Sequence, residues 1–387
     1  MWCLSFYKHH TRVEMKILYY IHSLNVGGAE KIVSEYLINL KTKGIDVSLV
    51  VIRHTNSFLE KRVKDAHIKI YALNENCKIQ KFNGVKWRIN ILIGYKKKWN
   101  SIIKAEQPDI VHIHTFLDTM NGIDFPNDRM VYTFHAKVER SLTLSSDINK
   151  QLLQKFANNG MTFFALNNSA IKDIKNIYST DKIVKIPNGI NIEEIRSKRI
   201  DRKRFLEKLE IPTNAFILGH VGRFHPIKNH EKILSVFKAL NMICPNSYLM
   251  LVGGDVNNRI NEIQKKSYEY GIANRIKFLG VCEDATEIIS VFDAFILPSY
   301  SESFSLVTVE AEALGIRCVV SDEVPQEVVC NDNCFRLKID ESDEKWARLL
   351  IDNSTTEKKY KLTDFDMNNV INRMINAYRE ILLSEPI

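Results

Sequence analysis

Residues 297–313 read Leu297-Pro298-Ser299-Tyr300-Ser301-Glu302-Ser303-Phe304-Ser305-Leu306-Val307-Thr308-Val309-Glu310-Ala311-Glu312-Ala313. An apolar strand ends at Leu297, a polar loop carries Glu302, and a helix opens near Ser305 with Glu310 in its second turn. Ser303 or Ser305 can cap that helix while other first-turn amides stay free for an anion. Glu302 and Glu310 would then flank a bound phosphate and reach the hydroxyls of a ribose or hexose, because carboxylates accept paired hydrogen bonds. The same spacing also fits a capped helix with two solvated acids.

Outward from this unit the text repeats one pattern. Apolar runs at 15–21, 47–52, 68–71, 110–113, 130–134, 162–165 and 183–186 alternate with helix-like segments. A second series follows the charged stretch 193–210, with runs at 215–221, 248–252, 276–279, 294–297 and 318–320. Such alternation is the sequence form of a parallel sheet wrapped by helices. Two series predict an α/β protein of two doubly wound, Rossmann-like domains facing a cleft. The expected divisions are an extension at 1–14, a first domain at 15–195, a second at 196–364, and a closing helix at 365–387 that packs back on the first domain. In open α/β sheets ligands bind beyond the carboxyl ends of the strands, so the residues just after each strand are the candidates.

Composition narrows the class. The chain of 387 residues is 45 % hydrophobic and 26 % charged, which suits packed domains and excludes wholesale disorder. No apolar run approaches the roughly 18 residues needed to span a bilayer. Seven scattered cysteines in a chain this long argue for reduced thiols rather than a disulfide scaffold. The charge divides unevenly: residues 1–190 hold 28 Lys and Arg against 16 Asp and Glu, a balance of +12, and the remainder holds 26 against 30, a balance of −4. A basic first half fits nucleic acid, an anionic membrane surface or a phosphorylated substrate.

Gly27-Gly28 follows the first strand and opens a helix, as a tight turn or as a close approach of backbone to an anion. Gly222-Arg223 follows the strand at 215–221, and Lys228-Asn229 opens the next helix. Arginine's planar fork and lysine's point charge together suit a diphosphate, although either alone is ordinarily solvated surface. A Gly-x-Gly-x-x-Gly string and a Walker A loop are both missing.

Taken together, Glu302-x7-Glu310, Gly222-Arg223-x4-Lys228-Asn229, Pro187-Asn188-Gly189-Ile190 and Gly27-Gly28 resemble the retaining family-4 glycosyltransferases of GT-B fold, from Met15 almost to the end of the chain. The text at 319–328 and the last helix are similar to the branch that builds bacterial capsular and exopolysaccharides. The resemblance implies that Arg223 and Lys228 neutralise a donor diphosphate, with Gly222 beside them. It implies that Glu310 holds the ribose, that Glu302 lies beside the donor sugar, and that amides from Ser303 through Phe304, Ser305 and Leu306 take phosphate oxygens. Gly27 and Gly28 would close over the diphosphate, and His135 would stand near the transferred sugar. His112 and His114 are read as structural. The family often carries glycine where Ser303 stands; if that position requires φ > 0, serine is strained there, and otherwise its hydroxyl adds a phosphate contact. No cofactor is expected, and no metal, because the one Asp-x-Asp string, Asp364-Phe365-Asp366, lies at the closing helix.

Between Lys78 and Lys104 lie eight Lys and Arg and no acid. Val85, Ile89, Leu92, Trp99 and Ile103 form an apolar face at helical spacing, beside Lys86, Lys97 and Lys104. This reads either as a core helix with a solvated flank or as a surface docked on an anionic leaflet. The resulting expectation is a cytoplasmic enzyme, peripheral on the inner face of the plasma membrane. It would move a hexosyl unit from a UDP-sugar to a lipid-linked saccharide acceptor. A nucleotide-sugar epimerase would instead convert a donor without acceptor. A non-catalytic nucleic-acid-binding protein would shift with oligonucleotides and ignore nucleotide sugars.

Overall fold

The computed structural model describes residues 15–25, 27–74, 85–356 and 360–384, with the side chains of 85–93 outside that description. The expected extension at 1–14 and the Val85, Lys86, Ile89 and Leu92 side chains therefore lie outside it.

The first sheet has seven parallel strands, β1 (Lys16–Ile21), β2 (Asp46–Val51), β3 (Lys69–Ala72), β4 (Ile110–Ile113), β5 (Met130–Thr133), β6 (Thr162–Ala165) and β7 (Ile183–Lys185), in the order 3-2-1-4-5-6-7. β1 is central, with Ile17 opposite both Val47 and Ile110. Its Ile17, Tyr19 and Ile21 pack into one layer of core and its Leu18 and Tyr20 into the other. Burial on both faces is why the strand reads as an unbroken apolar run instead of an alternation.

The second sheet has β8 (Phe216–Val221), β9 (Ser247–Val252), β10 (Ile276–Gly280), β11 (Ala294–Leu297), β12 (Arg317–Ser321) and β13 (Cys334–Leu337), in the order 10-9-8-11-12-13, again all parallel. It repeats the doubly wound order of the first six strands of the other sheet, so each sheet has its own switch point beside its central strand. β13 is absent from the sequence expectation. It is a four-residue edge strand with Arg336 inside it, too short and too polar to stand out as an apolar run.

The two short helices that link the sheets, Ile192–Ser197 and Arg202–Lys208, place Ile192, Ile195 and Leu206 in the second sheet's core. The closing helix, Met367–Leu383, is capped by Asp366, whose carboxylate accepts from the Asn368 amide at 3.0 Å. It returns to the first sheet and buries Val370, Ile371, Met374 and Tyr378 against the first helix, Gly28–Thr42. A Cβ on Gly189 would stand 3.1 Å from the Met367 Cα, so glycine there admits the start of that helix. Phe365 lies in the preceding turn rather than in the helix, and its ring meets Phe304 edge-on at 5.1 Å.

Trp99 and Ile102 are buried on the helix Val85–Glu106, and Ile103 packs against them. Lys96, Lys97 and Lys104 are exposed. Among the described residues no helix is long and apolar enough to cross a membrane.

Candidate active site

A cleft of about 520 Å³ opens between the carboxyl ends of the two sheets. The first sheet contributes Gly28, His114 and His135 to it, and the second contributes Arg223, Lys228 and Glu302 with the loop through Ser305. Gly28 lines this cleft and a Cβ on it would meet open space, while Gly27 is the extended N-cap residue just outside.

The β8 end is built by close backbone approach. Gly253 has φ +152, and a Cβ there would fall 2.0 Å from the Gly222 carbonyl oxygen. Arg223, the next residue, is exposed at the mouth of the cleft. Arg223 faces Glu30, whose carboxyl is raised by burial against the opposing pull of the guanidinium. Lys228 ends a single turn, Pro226–Lys228, and Asn229 in the left-handed region (φ +53) caps the helix His230–Ile243. Lys228 Nζ reaches Glu302 Oε1 at 2.7 Å, both side chains being mostly buried. An ammonium aimed into the cleft and held by a carboxylate is positioned for an anion without being mobile.

The β11 end corrects two expectations. The residue with positive φ is Ser305 (φ +75), not Ser303, so the strained position lies two residues further on. Nor does either serine side chain cap the helix Leu306–Ala313. Ser305 Oγ lies 2.7 Å from Thr308 Oγ1 and accepts no first-turn amide. Ser303 Oγ donates to the His135 carbonyl at 2.6 Å, and Asn167 donates to the Ser303 carbonyl at 2.6 Å. Ser303 thus ties the two halves together, and its hydroxyl is already committed. What the loop offers an anion is the side-chain-free N-terminus of a helix.

Glu310 is 5 % exposed and faces a second hollow of about 280 Å³, which meets the first at Leu306. The two glutamates of the motif therefore stand on opposite sides of the helix start. Glu310 Oε1 receives Lys31 Nζ at 2.6 Å from the first helix. Burial lowers the Lys31 ammonium, but Glu310, joined by Asp284 and Glu35, more than offsets that and holds it above the usual lysine range. Lys31 was not anticipated. The two partners lie 279 residues apart, and the sequence carries no sign of their pairing.

His135 follows β5 and is lowered to about 4 by burial. Its Nε2 shares a 2.8 Å hydrogen bond with His114 Nδ1, so the side chain read as structural lies in the cleft wall beside the one read as functional. His112 does hold the fold, with Nδ1 2.6 Å from the Tyr378 hydroxyl and Nε2 2.8 Å from Thr133 Oγ1. Among the described residues no group of three or more His, Cys, Asp or Glu side chains is arranged to hold a metal ion.

Two facing doubly wound sheets with the ligand cleft between them are the architecture of the GT-B enzymes. Residues 201–363 match the glycosyl transferases group 1 profile and residues 26–194 match that of glycosyltransferase family 4. The chain belongs to the family-4 glycosyltransferases. It is 29 % identical over 171 residues to the putative glycosyltransferase EpsF of Bacillus subtilis, covering 44 % of each chain. It is 29 % identical over 235 residues to the UDP-Gal:alpha-D-GlcNAc-diphosphoundecaprenol alpha-1,3-galactosyltransferase of Escherichia coli, over 57 % of this chain and 59 % of that one. The chain thus spans about half the length of the curated relatives it matches. A glycosyltransferase from Rickettsia africae superposes with TM-score 0.71 at 18 % identity, over 96 % of this chain and 100 % of the other. Anabaena HepE in complex with UDP and glucose superposes with TM-score 0.69 at 18 % identity, over 95 % and 94 %.

Proposed function

We propose that this chain transfers a hexosyl unit from a UDP-sugar to a lipid-linked saccharide, with retention and without a metal, in capsular or exopolysaccharide synthesis. The observation that carries this reading is the convergence of Arg223, Lys228 and an uncapped helix start on one side of a cleft that has His135 on the other. The likeness to an enzyme named for UDP-Gal and a diphosphoundecaprenol acceptor supports the donor and acceptor classes.

In the reaction, the bond between the anomeric carbon and the diphosphate oxygen breaks and a bond to the acceptor hydroxyl oxygen forms on the same face. The acceptor proton passes to the departing diphosphate. Negative charge grows on that diphosphate, so cations and helix amides placed there stabilise the transition state more than the ground state. Arg223, Lys228 and the amides from Ser303 to Leu306 take that role, and Gly28 leaves room for the phosphates against the first helix. Glu310 exchanges Lys31 for the ribose hydroxyls, and Glu302 and His135 hold the sugar. In this reading residues 15–195 bind acceptor, residues 196–364 bind donor, and the helix from 365 fastens one to the other. The exposed lysines of the helix Val85–Glu106 face an anionic leaflet from the inner side of the membrane.

The test is a thermal-shift panel of UDP, GDP, ADP and NAD with and without EDTA, followed by UDP release from a UDP-sugar given a lipid-linked saccharide. A ligand at a hundred times its dissociation constant adds about 2.7 kcal/mol, which moves the melt visibly. UDP is expected to raise the melting temperature equally with and without EDTA. Four flat responses would remove the donor site, and a response abolished by EDTA would remove metal independence.

A further inference from the structure

The pairing of Ile113 with Tyr132 brings the carboxyl ends of β4 and β5 side by side. His114 and His135 follow those ends and stack with ring centroids 5.1 Å apart, joined by the 2.8 Å bond between His114 Nδ1 and His135 Nε2. His114 is 6 % exposed and lines the cleft, and its Nε2 has no hydrogen-bond partner among the described residues. A buried ring nitrogen left unpaired is costly. In the wall of a substrate cleft, the missing partner is substrate.

The neighbouring aromatic groups do not compete for this role. The hydrogen bonds running from Tyr19 through Tyr378 to His112 end on Thr133. His112 and His114 meet only through their ring faces, with centroids 4.0 Å apart. The pair in the cleft is therefore separate from the network beneath it. Burial holds both histidines of the pair below their ordinary range, so each is neutral and carries one ring proton. If His135 Nε2 bore the shared proton, His114 would bury an N–H with no acceptor, the arrangement that folded proteins most avoid. If His114 Nδ1 bears it, His114 Nε2 is a bare lone pair and His135 presents Nδ1–H.

We propose that His114 and His135 form one hydroxyl-binding pair, in which His114 Nδ1–H is donated to His135 Nε2, His114 Nε2 accepts from a hydroxyl of the transferred sugar, and His135 Nδ1–H donates to the same sugar. Neighbouring pyranose hydroxyls each donate and accept, so one accepting and one donating nitrogen held side by side match them. His114 is then a substrate-binding residue. The assignment rests on the glycosyl-transfer reading above.

Calorimetric titration of the full chain with UDP and with UDP-glucose tests it, beside ¹⁵N NMR of the histidine rings. Asparagine sets its amide near the place of Nδ1, and glutamine sets its amide near that of Nε2. His114→Asn keeps the tie to His135 and removes the hydroxyl acceptor; His114→Gln does the reverse. His114→Asn is expected to bind UDP as the wild type does and UDP-glucose about tenfold more weakly, the loss of one buried hydrogen bond. His114→Gln should recover part of that loss. In the free wild type, His135 should be the Nδ1–H tautomer, and in His114→Gln a mixture. Equal weakening of both ligands would make His114 a fold residue and overturn the proposal, as would undiminished UDP-glucose binding or an Nε2–H tautomer at His135. Failure of the wild type to bind UDP at all overturns the donor reading and this assignment with it, and is told apart from the other outcomes by that first titration.

Discussion

Each half of the molecule sets two histidine rings against each other, His114 with His135 and His220 with His230, and the pairs are opposite in kind. His220 on β8 is fully buried, and its Nδ1 lies 2.9 Å from the Ile296 carbonyl oxygen. His230 stacks on Phe224 with centroids 4.3 Å apart, and neither of its nitrogens has a hydrogen-bond partner among the described residues. Burial lowers them to about 3 and about 2, further than the 4 of His135. Basicity alone would rank the second pair as the more unusual. Yet neither His220 nor His230 lines the cleft, whereas His114 and His135 both do. A lowered imidazole reports burial; its place beyond the carboxyl end of a strand is what points to function.

The widest effects should come from the second sheet's charges rather than from either imidazole pair. In the proposed reaction Lys228→Ala removes the ammonium that meets the departing diphosphate, and it is expected to lower the transfer rate about 10²–10³-fold, read as kcat alongside the melting temperature. A fall of less than tenfold would move that role to Arg223 alone.

Next in size is a contrast within one helix. Glu310 is paired with Lys31, while Glu312, two residues on, is 1 % exposed and pushed up to about 7 by burial. Its Oε2 accepts the Cys330 and Asn331 amides, each at 2.8 Å. The folded value lies above the unfolded one near 4.5, so this stabilisation is complete below pH 4.5 and is lost as pH rises through 7. The loss approaches about 3 kcal/mol. Glu312→Gln can accept the same two amides without a charge, and the difference in stability between variant and wild type should grow from pH 4.5 to 7 and then level off in urea titrations. A constant difference would show that Glu312 does not titrate there.

Smaller again is the second sheet's histidine pair. His230→Leu replaces two unpartnered ring nitrogens by hydrocarbon and should raise stability by about 1–2 kcal/mol with the transfer rate unchanged. A loss of rate would join that pair to the site and break the contrast between the sheets. The smallest effect belongs to Ser305→Gly, which relieves a left-handed backbone by about 1 kcal/mol or less. Its readout is the urea midpoint, with UDP affinity as the control on the loop.

The fold was legible because its strands are buried on both faces and its helices fill the intervals, as β1 and the Gly28–Thr42 helix illustrate. Arg223, Lys228 and Glu302 were legible as candidates for a related reason: they stand between a strand's end and the next helix, where the topology collects ligands, whereas His135 became a candidate only through the family resemblance. The hidden part is what arises between distant segments. Lys31 meets Glu310 only after the halves face each other, and His114 acquires its partner only when β4 and β5 align. The positive φ lies at Ser305, and Ser303 spends its hydroxyl and carbonyl on His135 and Asn167. Local text could not show those bonds.

The closing helix sets an order of events during synthesis. Met367, Val370, Met374 and Tyr378 belong to the core that also holds β1 and the first helix, and His112 takes one of its two ring bonds from Tyr378. The half of the molecule that leaves the ribosome first is therefore the half completed last. Until the final helix emerges, the first sheet keeps part of one apolar face uncovered beside the first helix, and His112 lacks the hydroxyl that seats it beneath the cleft. A chain broken off before residue 367 would carry every loop of the active site on an unfinished floor.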